Sequence, residues 1–276
     1  MDPELKDEFR LDVFLTKKHG IHSRSGWQKR ITRGDVLVNN ELCLKPNTKI
    51  SESDTVTVAE LVKQASQYSP VVLYEDENVL VVNKPSGILV HATTNVAREQ
   101  TLVDIFADKL SFEQSNRPGV VHRLDRDTSG VIIFAKNEAT KLYIQKQFAN
   151  RSVKKTYRAV LSGQLATKKG VISKPLKRDP HHPGIWMVSP EGKPSETVFT
   201  RIDTSNDDSR VELEPKTGRT HQLRVHCASI GHPIVGDRLY NPNSTATRLM
   251  LHAASLEVSI AHNDRRTFAA DLPEGF

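Results

Sequence analysis

The sequence predicts an α+β protein in which a mixed, largely antiparallel sheet with packed helices forms the main domain and a small α/β domain precedes it. Three observations predict this class. The apolar runs are short and rich in β-branched residues, which is typical of strands. Helical patterns interrupt these runs without the regular alternation of a doubly wound fold. Two short helical patterns and a few short strands form a separate group near the N-terminus.

Residues 8–62 are predicted to form the small domain. A first helix with apolar residues at helical spacing is expected to end before Gly20, and a second helix to cover residues 25–33. A hairpin is expected over residues 36–44, around two consecutive asparagines, and a last strand at 56–58. Basic residues cluster on the second helix, which suits contact with a polyanion.

The polar segment 63–70 ends in proline and is predicted to be a linker, so that residues 71–276 form the main domain. With 276 residues, of which 37% are hydrophobic and 26% charged, the chain is long enough for one ordinary domain and a small one. In the main domain, strands are expected at 79–82, 131–134, 157–161, 198–202 and 211–213, and helices at 101–110, 138–150 and 220–230.

Basic residues are unevenly distributed along the chain. The net charge of +6 and the sequence pI near 9.2 are weak evidence by themselves. However, residues 13–34 and 139–178 contain no acidic residue, and the second run carries eleven basic residues. One basic run is often only a solvated face, whereas two long runs favour a polyanionic partner, because phosphates attract clustered lysine and arginine.

Several classes of protein and site are excluded by the sequence. No apolar run approaches the roughly 18 residues that span a bilayer, and the acidic N-terminus lacks a signal-peptide core, so we expect a cytoplasmic protein without membrane contact. Cys43 and Cys227 cannot form a disulfide framework, and no Cys/His spacing is typical of zinc sites, so no metal is expected. No phosphate-binding loop, dinucleotide fingerprint or serine-hydrolase elbow occurs.

The most distinctive segment is the polar loop 122–130, HRLDRDTSG, which leads into the apolar run 131–134. Loops held by a rigid sheet often carry reactive groups. An ordinary turn would explain Gly130 and the small polar residues before it. It explains less well why the same loop carries a histidine, two arginines and Asp125. The residue types alone leave a structural turn and a functional loop equally open.

This loop resembles the signature H-R-L-D-x-x-T-S-G of the RluA family of pseudouridine synthases. Four further segments resemble family motifs in the same order: NKPSG at 83–87, KTYRA at 155–159, TGRTHQLRVH at 217–226 and HPIVGD at 232–237. The small domain resembles the S4 RNA-binding module, although Asn40 and Ser53 stand where that module commonly has glycine. The resemblance covers nearly the whole chain and implies an isomerase that converts uridine in RNA to pseudouridine without a cofactor.

The resemblance also implies roles for individual residues. Asp125 matches the catalytic aspartate, Tyr157 the tyrosine that packs against the target base, and Arg224 the basic partner of the aspartate. Arg123 matches the arginine that fills the space left by the flipped nucleotide. The residues expected to contact RNA are His122, Arg123 and Arg219 in the main domain and Arg24, Lys29, Arg30 and Arg33 on the second helix of the small domain.

Other interpretations remain open. From residue type alone, Tyr157 would be interpreted as a core residue and Arg224 as part of a surface ion pair. A non-catalytic RNA-binding or ribosome-assembly protein would use the same basic surfaces. The expected partner is RNA. Because S4-bearing members of the family most often act on large-subunit ribosomal RNA, rRNA is the preferred target and tRNA the alternative. We expect a monomer.

Overall fold

The computed structural model describes residues 8–19, 23–58, 68–92, 100–110, 112, 117–182, 184–205 and 207–276. The side chains of Lys29 and Arg33 also lie outside the described set, although their backbone belongs to a described helix. The chain divides into two compact units, Met1–Ala65 with Ala92–Gln100 and Ser66–His91 with Thr101–Phe276. Most of the predicted linker, residues 63–67, lies outside the described residues.

The first unit consists of two helices and short strands. Helix α2 begins after Ser23, whose hydroxyl accepts the Gly26 N–H at 3.3 Å, and it ends at Gly34, which has a left-handed φ of 90°. The elements are β1 (Phe9–Arg10), α1 (Leu11–His19), α2 (Arg24–Arg33), β2 (Val36–Val38), β3 (Glu41–Leu42), β4 (Lys49–Ile50) and β5 (Val56–Val58). Strands β3, β2 and β5 form an antiparallel sheet, and β1 pairs with β4.

The core of the first unit is separate from that of the second. Six buried side chains form it, namely Leu11, Leu15, Trp27, Ile31, Val36 and Ile50. They come from both helices and from two strands, because each helix turns its apolar residues to the same side. The two helices, the hairpin and the last strand lie where the sequence predicted them.

The second unit contains a nine-stranded sheet in the order β10-β13-β14-β9-β15-β8-β7-β6, with β16 paired to β15. All described neighbours are antiparallel except β8 and β15, which confirms the predicted mixed, largely antiparallel sheet. The elements are β6 (Val71–Glu75), β7 (Val79–Lys84), α3 (Leu102–Ile105), β8 (Ser129–Ala135), α4 (Glu138–Ala149), β9 (Lys154–Ser162), β10 (Lys169–Ser173), β11 (Leu176–Arg178), β12 (Trp186–Val188), β13 (Glu196–Ser205), β14 (Asp208–Pro215), α5 (Gln222–Ala228), β15 (Leu251–Ala261) and β16 (Asp264–Ala269).

Strand β8 is buried on both faces. Successive side chains of a strand point to opposite faces. On one face Ile133 packs in a cluster with Ile144 of α4, and on the other Ile132 and Phe134 pack in a cluster with Leu102 of α3. This double burial explains why the run 131–134 is apolar without alternation. The loop that precedes β8 is therefore attached to a rigid strand.

Two helices are shorter than predicted. The helix predicted at 101–110 is α3, which has four residues, followed by a 3-10 turn at Ala107–Lys109. The helix predicted at 220–230 covers only Gln222–Ala228, because His221 has a left-handed φ of 53° that an α-helix does not contain. Arg219 therefore lies in the turn before α5 and does not begin a helix. No helix in the described ranges is long and apolar enough to cross a membrane.

Candidate active site

A cavity of about 460 Å³ lies where three of the sequence motifs meet. Its wall contains the loop that precedes β8, the start of β9 and the segment that joins β14 to α5. The antiparallel pairing of β9 with β14 places Tyr157 opposite Leu213, so that the start of one strand lies beside the end of the other. Asp125, Tyr157 and Arg224, the three residues predicted to be catalytic, all line this cavity.

The carboxylate of Asp125 is open to the cavity. Its side chain is 20% exposed, and it accepts no hydrogen bond from any residue that the structure describes. Two basic groups face the same carboxylate oxygen, Oδ2. Arg224 Nη1 lies 3.9 Å from it and His221 Nε2 lies 4.0 Å from it. These distances are too long for hydrogen bonds.

Arg224 is held by a carboxylate to which the sequence analysis gave no role. Its Nε and Nη2 each donate to an oxygen of Asp237 at 2.7 Å. Asp237 is fully buried and also accepts the backbone N–H groups of Leu239 and Tyr240. Arg224 is thus a buried arginine, not part of a surface ion pair, and Asp237 rather than Asp125 is its direct partner. Its remaining nitrogen, Nη1, is the one that faces Asp125.

The charge of Arg224 is secured by this arrangement. Burial alone would lower the pKa of Arg224, but the hydrogen bonds and charge of Asp237, together with the charge of Asp125, outweigh burial and raise the pKa. A guanidinium fixed by two parallel hydrogen bonds has a defined orientation. Arg224 therefore presents a permanent positive charge at a fixed place beside Asp125.

His221 is a second residue of the site that the sequence analysis quoted without giving it a role. Its Nδ1 lies 2.9 Å from the hydroxyl of Tyr240, and that hydroxyl accepts the N–H of Trp186 at 2.9 Å. We assign the hydroxyl hydrogen to the contact with Nδ1, because the imidazole hydrogen then lies on Nε2, the nitrogen that faces the carboxylate of Asp125. Burial, the largest effect, lowers the pKa of His221 and outweighs the charge of Asp125, which raises it.

Tyr157 lies on β9 between two core clusters and lines the cavity. Among the described residues its hydroxyl has no hydrogen-bond partner. Burial raises the pKa of Tyr157, and the charge of Asp125 raises it further, so the phenol is neutral at physiological pH. The residue thus offers an aromatic surface and a hydroxyl to a ligand in the cavity.

A tight turn at the end of β7 holds the backbone next to Asp125. The fully buried Lys84 donates from Nζ to the carbonyls of Pro85 at 3.0 Å, Ile88 at 2.8 Å and Arg126 at 2.6 Å. The Gly87 N–H also donates to the Arg126 carbonyl, at 3.0 Å. Burial lowers the pKa of Lys84 to about 7, although the nearby aspartates oppose this effect. The NKPSG segment thereby fixes the loop residue that follows Asp125.

The other end of the loop is held by β15. The Ser129 hydroxyl lies 2.7 Å from Arg248 Nη2 and 2.9 Å from His252 Nδ1. Gly130 has a φ of 114°, and a Cβ at this position would lie 2.2 Å from the carbonyl oxygen of Ala253. Only glycine permits this approach of β8 to β15. Ser129 and Gly130 of the loop motif are therefore explained by packing.

The three main-domain residues predicted to contact RNA all line the cavity, in different environments. His122 accepts the Ile133 N–H on Nε2 at 3.2 Å and stacks on Phe148, and burial, with Lys155, lowers its pKa to about 3. Arg123 is exposed and makes no hydrogen bond or ion pair with a described residue. Arg219 Nε donates to the carbonyl of Pro194 at 3.3 Å.

The predicted RNA contacts of the first unit are partly neutralised. Arg24 Nε lies 3.1 Å from Asp12, and Arg30 Nε lies 3.2 Å from Asp35. Burial alone would raise the pKa of Asp12, but hydrogen bonds from Arg10, Gln28 and Arg24 outweigh it and lower the pKa. Acidic residues that flank the acid-free run thus fold back onto it. The predictions for Lys29 and Arg33 concern side chains outside the described set.

Within the described residues, no group of three or more His, Cys, Asp or Glu side chains is placed to hold a metal ion. The family model described as RNA pseudouridylate synthase matches residues 78–229, which include the loop, β9 and the segment before α5 that together build the cavity. The chain belongs to this family of RNA pseudouridylate synthases. It is therefore an isomerase that acts on uridine in RNA. The S4 domain model matches residues 9–56, which lie in the first unit.

Individual relatives agree with this assignment and confirm the predicted pseudouridine synthase with an S4-like domain. A ribosomal large subunit pseudouridine synthase D of Borreliella burgdorferi is 33% identical over 290 residues, which cover 98% of this chain and 88% of the relative. The uncharacterized RNA pseudouridine synthase YhcT of Bacillus subtilis is 38% identical over 240 residues, which cover 83% of this chain and 78% of the relative.

Solved structures show the same fold. The structure of human RNA pseudouridylate synthase domain containing 1 has a TM-score of 0.64 and 27% sequence identity, and the match covers 77% of this chain and 87% of that chain. The sheet and helices described above for the second unit therefore form a pseudouridine synthase fold.

Proposed function

We propose that this pseudouridine synthase isomerises specific uridines of structured RNA with Asp125 as its catalytic carboxylate. One observation carries the proposal. Of the described residues that line the cavity, Asp125 is the only acidic one, and its carboxylate accepts no hydrogen bond and lies beside a buried arginine. The reaction breaks the N1–C1′ bond of uridine and forms a C5–C1′ bond. A carboxylate next to the sugar acts either on C1′ or on a sugar proton while the base is detached.

We propose different roles for the two oxygens of Asp125. Oδ2 makes the contacts given above with Arg224 and His221, and we assign it to these two basic groups. We assign Oδ1 to the nucleotide. Small shifts on RNA binding would bring Oδ2 within hydrogen-bond distance of both donors, because catalytic hydrogen bonds often tighten only in the complex.

The target uridine must leave its stack to reach Asp125, which costs a few kcal/mol. We propose that Tyr157 packs against the flipped base and that Arg123 fills the vacated space. Stacking on an aromatic ring contributes roughly 1–3 kcal/mol per base, which offsets part of the cost. The exposed guanidinium of Arg123, at the edge of the cavity and without a described partner, supports the second role. A cavity of about 460 Å³ is within the range of small-ligand sites.

We further propose large-subunit ribosomal RNA as the target, with transfer RNA as the alternative. The name of the Borreliella burgdorferi relative, which matches almost the whole chain, supports rRNA. The S4 match supports a role of the first unit in RNA binding. We assign this role to residues 8–62, with 63–70 as linker and 71–276 as catalytic domain, in a monomeric, cytoplasmic enzyme that needs no cofactor.

Turnover on defined RNAs tests the target. Purified protein is incubated with large-subunit rRNA transcripts and with tRNA transcripts, and the pseudouridines in each RNA are mapped. We expect pseudouridine at a small number of positions in the rRNA. Pseudouridine in tRNA alone would reject the rRNA assignment. Pseudouridine in neither RNA, with the protein folded and binding RNA, would reject the proposed substrates.

A further inference from the structure

A second cavity of about 230 Å³ lies directly beside the active-site cavity. The two cavities share part of their walls, including Arg151, Lys155 and Lys216. The second cavity lies between the turn after α4, the start of β9 and the end of β14. It is therefore an extension of the site in which the target nucleotide is proposed to bind.

The extension is strongly basic. Four cationic side chains line it, namely Arg151, Lys154, Lys155 and Lys216, and we call it the basic groove. Glu214 is the only acidic residue in its described wall, and it lies 3.0 Å from Lys216 Nζ. The side chains of Arg151 and Lys154 are exposed and make no hydrogen bond or ion pair with any described residue. The positive charge of the groove is thus mostly uncompensated.

Lys155 connects the groove with the active-site cavity. It is half-buried, and its Nζ donates to the Thr217 carbonyl at 3.1 Å. Within the described part of the chain no carboxylate lies within ion-pair distance of Lys155. Burial, followed by the charge of Lys216, lowers the pKa of Lys155 to about 8. A lysine in this situation gains from an anion, because a nearby negative charge favours the ammonium form.

We propose that the basic groove binds phosphates of the RNA strand beside the target uridine. This inference rests on the proposed function, since the strand in question is the one that enters the active site. The groove is continuous with the nucleotide cavity, and its cations come from two separate segments of chain, residues 151–155 and 214–216. A polymer with a phosphate at every nucleotide matches several cations spread along a groove, whereas a single free anion needs donors that converge on one point.

The test uses the full chain with Arg151→Gln and Lys154→Gln combined. Both residues are exposed, so the fold is expected to tolerate the changes. RNA affinity is measured over a range of salt concentrations in an Asp125→Asn background, which prevents turnover. Each lost phosphate contact reduces the slope of log K against log salt by about 0.7 on single strands and 0.9 on duplex. For the double variant we expect the magnitude of the slope of log K against log salt to decrease by about 1.4–1.8. With Asp125 intact, the loss is expected in KM and not in kcat.

Lys168→Gln is the matched control. This exposed lysine follows the far end of β9, whereas Lys154 stands at its beginning. The eight steps between Lys154 and Ser162 correspond to about 26 Å of extended strand. We expect the control to keep the salt slope and KM of the parent.

An unchanged slope and KM in the double variant would overturn the proposal. Inorganic phosphate alone could instead stabilise the parent but not the double variant, while the RNA salt slope stays unchanged. This result would assign the groove to a free anion and would also overturn the proposal. These outcomes are distinct from a failure of the proposed function, in which the unmodified protein forms no pseudouridine while the salt slope still depends on the groove.

Discussion

Asp125 is surrounded by residues that orient it rather than neutralise it. Two hydrogen bonds to Asp237 hold Arg224, and a hydrogen bond with Tyr240 holds His221, so both basic groups face Oδ2 of Asp125 from fixed positions. Positioning of this kind is a large part of enzymatic rate enhancement, because the groups need not reorganise during the reaction. At the scale of single residues, the proposed chemistry therefore depends on the pair Arg224 and His221.

We expect His221→Asn to lower kcat by about 10- to 100-fold, which corresponds to loss of a hydrogen bond to a charged group. Asparagine accepts the left-handed backbone of this position and keeps an acceptor near Tyr240, but it has no donor that reaches Asp125. His221→Gln places an amide N–H where Nε2–H stands and should restore part of kcat. Single-turnover rates and thermal unfolding are measured for both variants. Equal kcat in both variants and the parent would reject the role of His221.

We expect Asp237→Asn to lower kcat more than it raises KM, because the charged partner that fixes Arg224 is lost. The change leaves the buried guanidinium of Arg224 without its hydrogen-bonded carboxylate, which we expect to lower the free energy of unfolding by about 3–5 kcal/mol. Urea denaturation measures the loss of stability, and steady-state kinetics measure the changes in kcat and KM. A variant with normal kcat and normal stability would show that Asp237 does not position Arg224.

The sequence predicted the candidate site but not its supporting contacts. Asp125, Tyr157 and Arg224 were singled out because each lies in a segment that resembles a family motif, and they line one cavity. The roles of Asp237 and Tyr240 were missed because their contacts to Arg224 and His221 form only when the turn after α5 folds back on the helix. Which ring nitrogen of His221 carries the hydrogen that faces Asp125 depends on the contact with the Tyr240 hydroxyl and on the positive φ of His221. Neither follows from residue type.

At the scale of secondary structure, β8 joins the loop that carries Asp125 to the centre of the sheet. The run 131–134 predicted this strand correctly because it is apolar throughout. Its neighbour β15 was not predicted, although Leu256, Val258 and Ile260 alternate with polar residues. Polar residues and small alanines at the start of β15 weaken its pattern. The strand is specified mainly by its pairing with β8, β9 and β16.

Gly130→Ala tests the contact between β8 and β15. The new methyl group would overlap backbone atoms of Ala253, which have no room to move between two strands. We expect a loss of about 3 kcal/mol or more of unfolding free energy, and a parallel loss of activity. Gly184→Ala is the control, because Gly184 also has a positive φ but, chain neighbours apart, no described atom lies within 4 Å of the place that its new methyl group would occupy. For Gly184→Ala we expect a loss of about 1–2 kcal/mol of unfolding free energy. Equal losses in urea denaturation would contradict this explanation.

His122 makes the packing of β8 against α4 sensitive to acid. Its folded pKa is about 3, below the ordinary value of about 6.5. Between these pH values the unfolded chain binds a proton that the folded chain does not bind. Stability therefore falls as the pH decreases from 6.5 to 3, by at most about 1.4 kcal/mol per pH unit. We expect His122→Gln to flatten this dependence and exposed His181→Gln to leave it unchanged, as measured by unfolding at several pH values. Parallel pH curves for the parent and His122→Gln would contradict the assignment.

At the scale of the whole molecule, the two units have separate cores and separate proposed tasks. The first unit has its own cluster around Trp27 and carries the basic helix, whereas the second unit contains the cavity. We expect removal of residues 1–62 to raise KM and to reduce the salt slope of RNA binding, because phosphate contacts are lost. The kcat at saturating RNA is expected to remain. An unchanged salt slope would show that the first unit contributes no phosphate contacts.

The central claim is that Asp125 performs the chemistry, and release of the C5 hydrogen tests it most directly. Formation of the C5–C1′ bond displaces this hydrogen, so RNA labelled with tritium at C5 of uridine reports turnover. We expect Asp125→Asn to release tritium only at background, while the Kd for RNA stays within about tenfold, or 1.4 kcal/mol, of the parent. Asp127→Asn is the control, because its carbonyl contact to Ser86 is retained and it should release tritium. Release near the parental rate by Asp125→Asn would contradict the account.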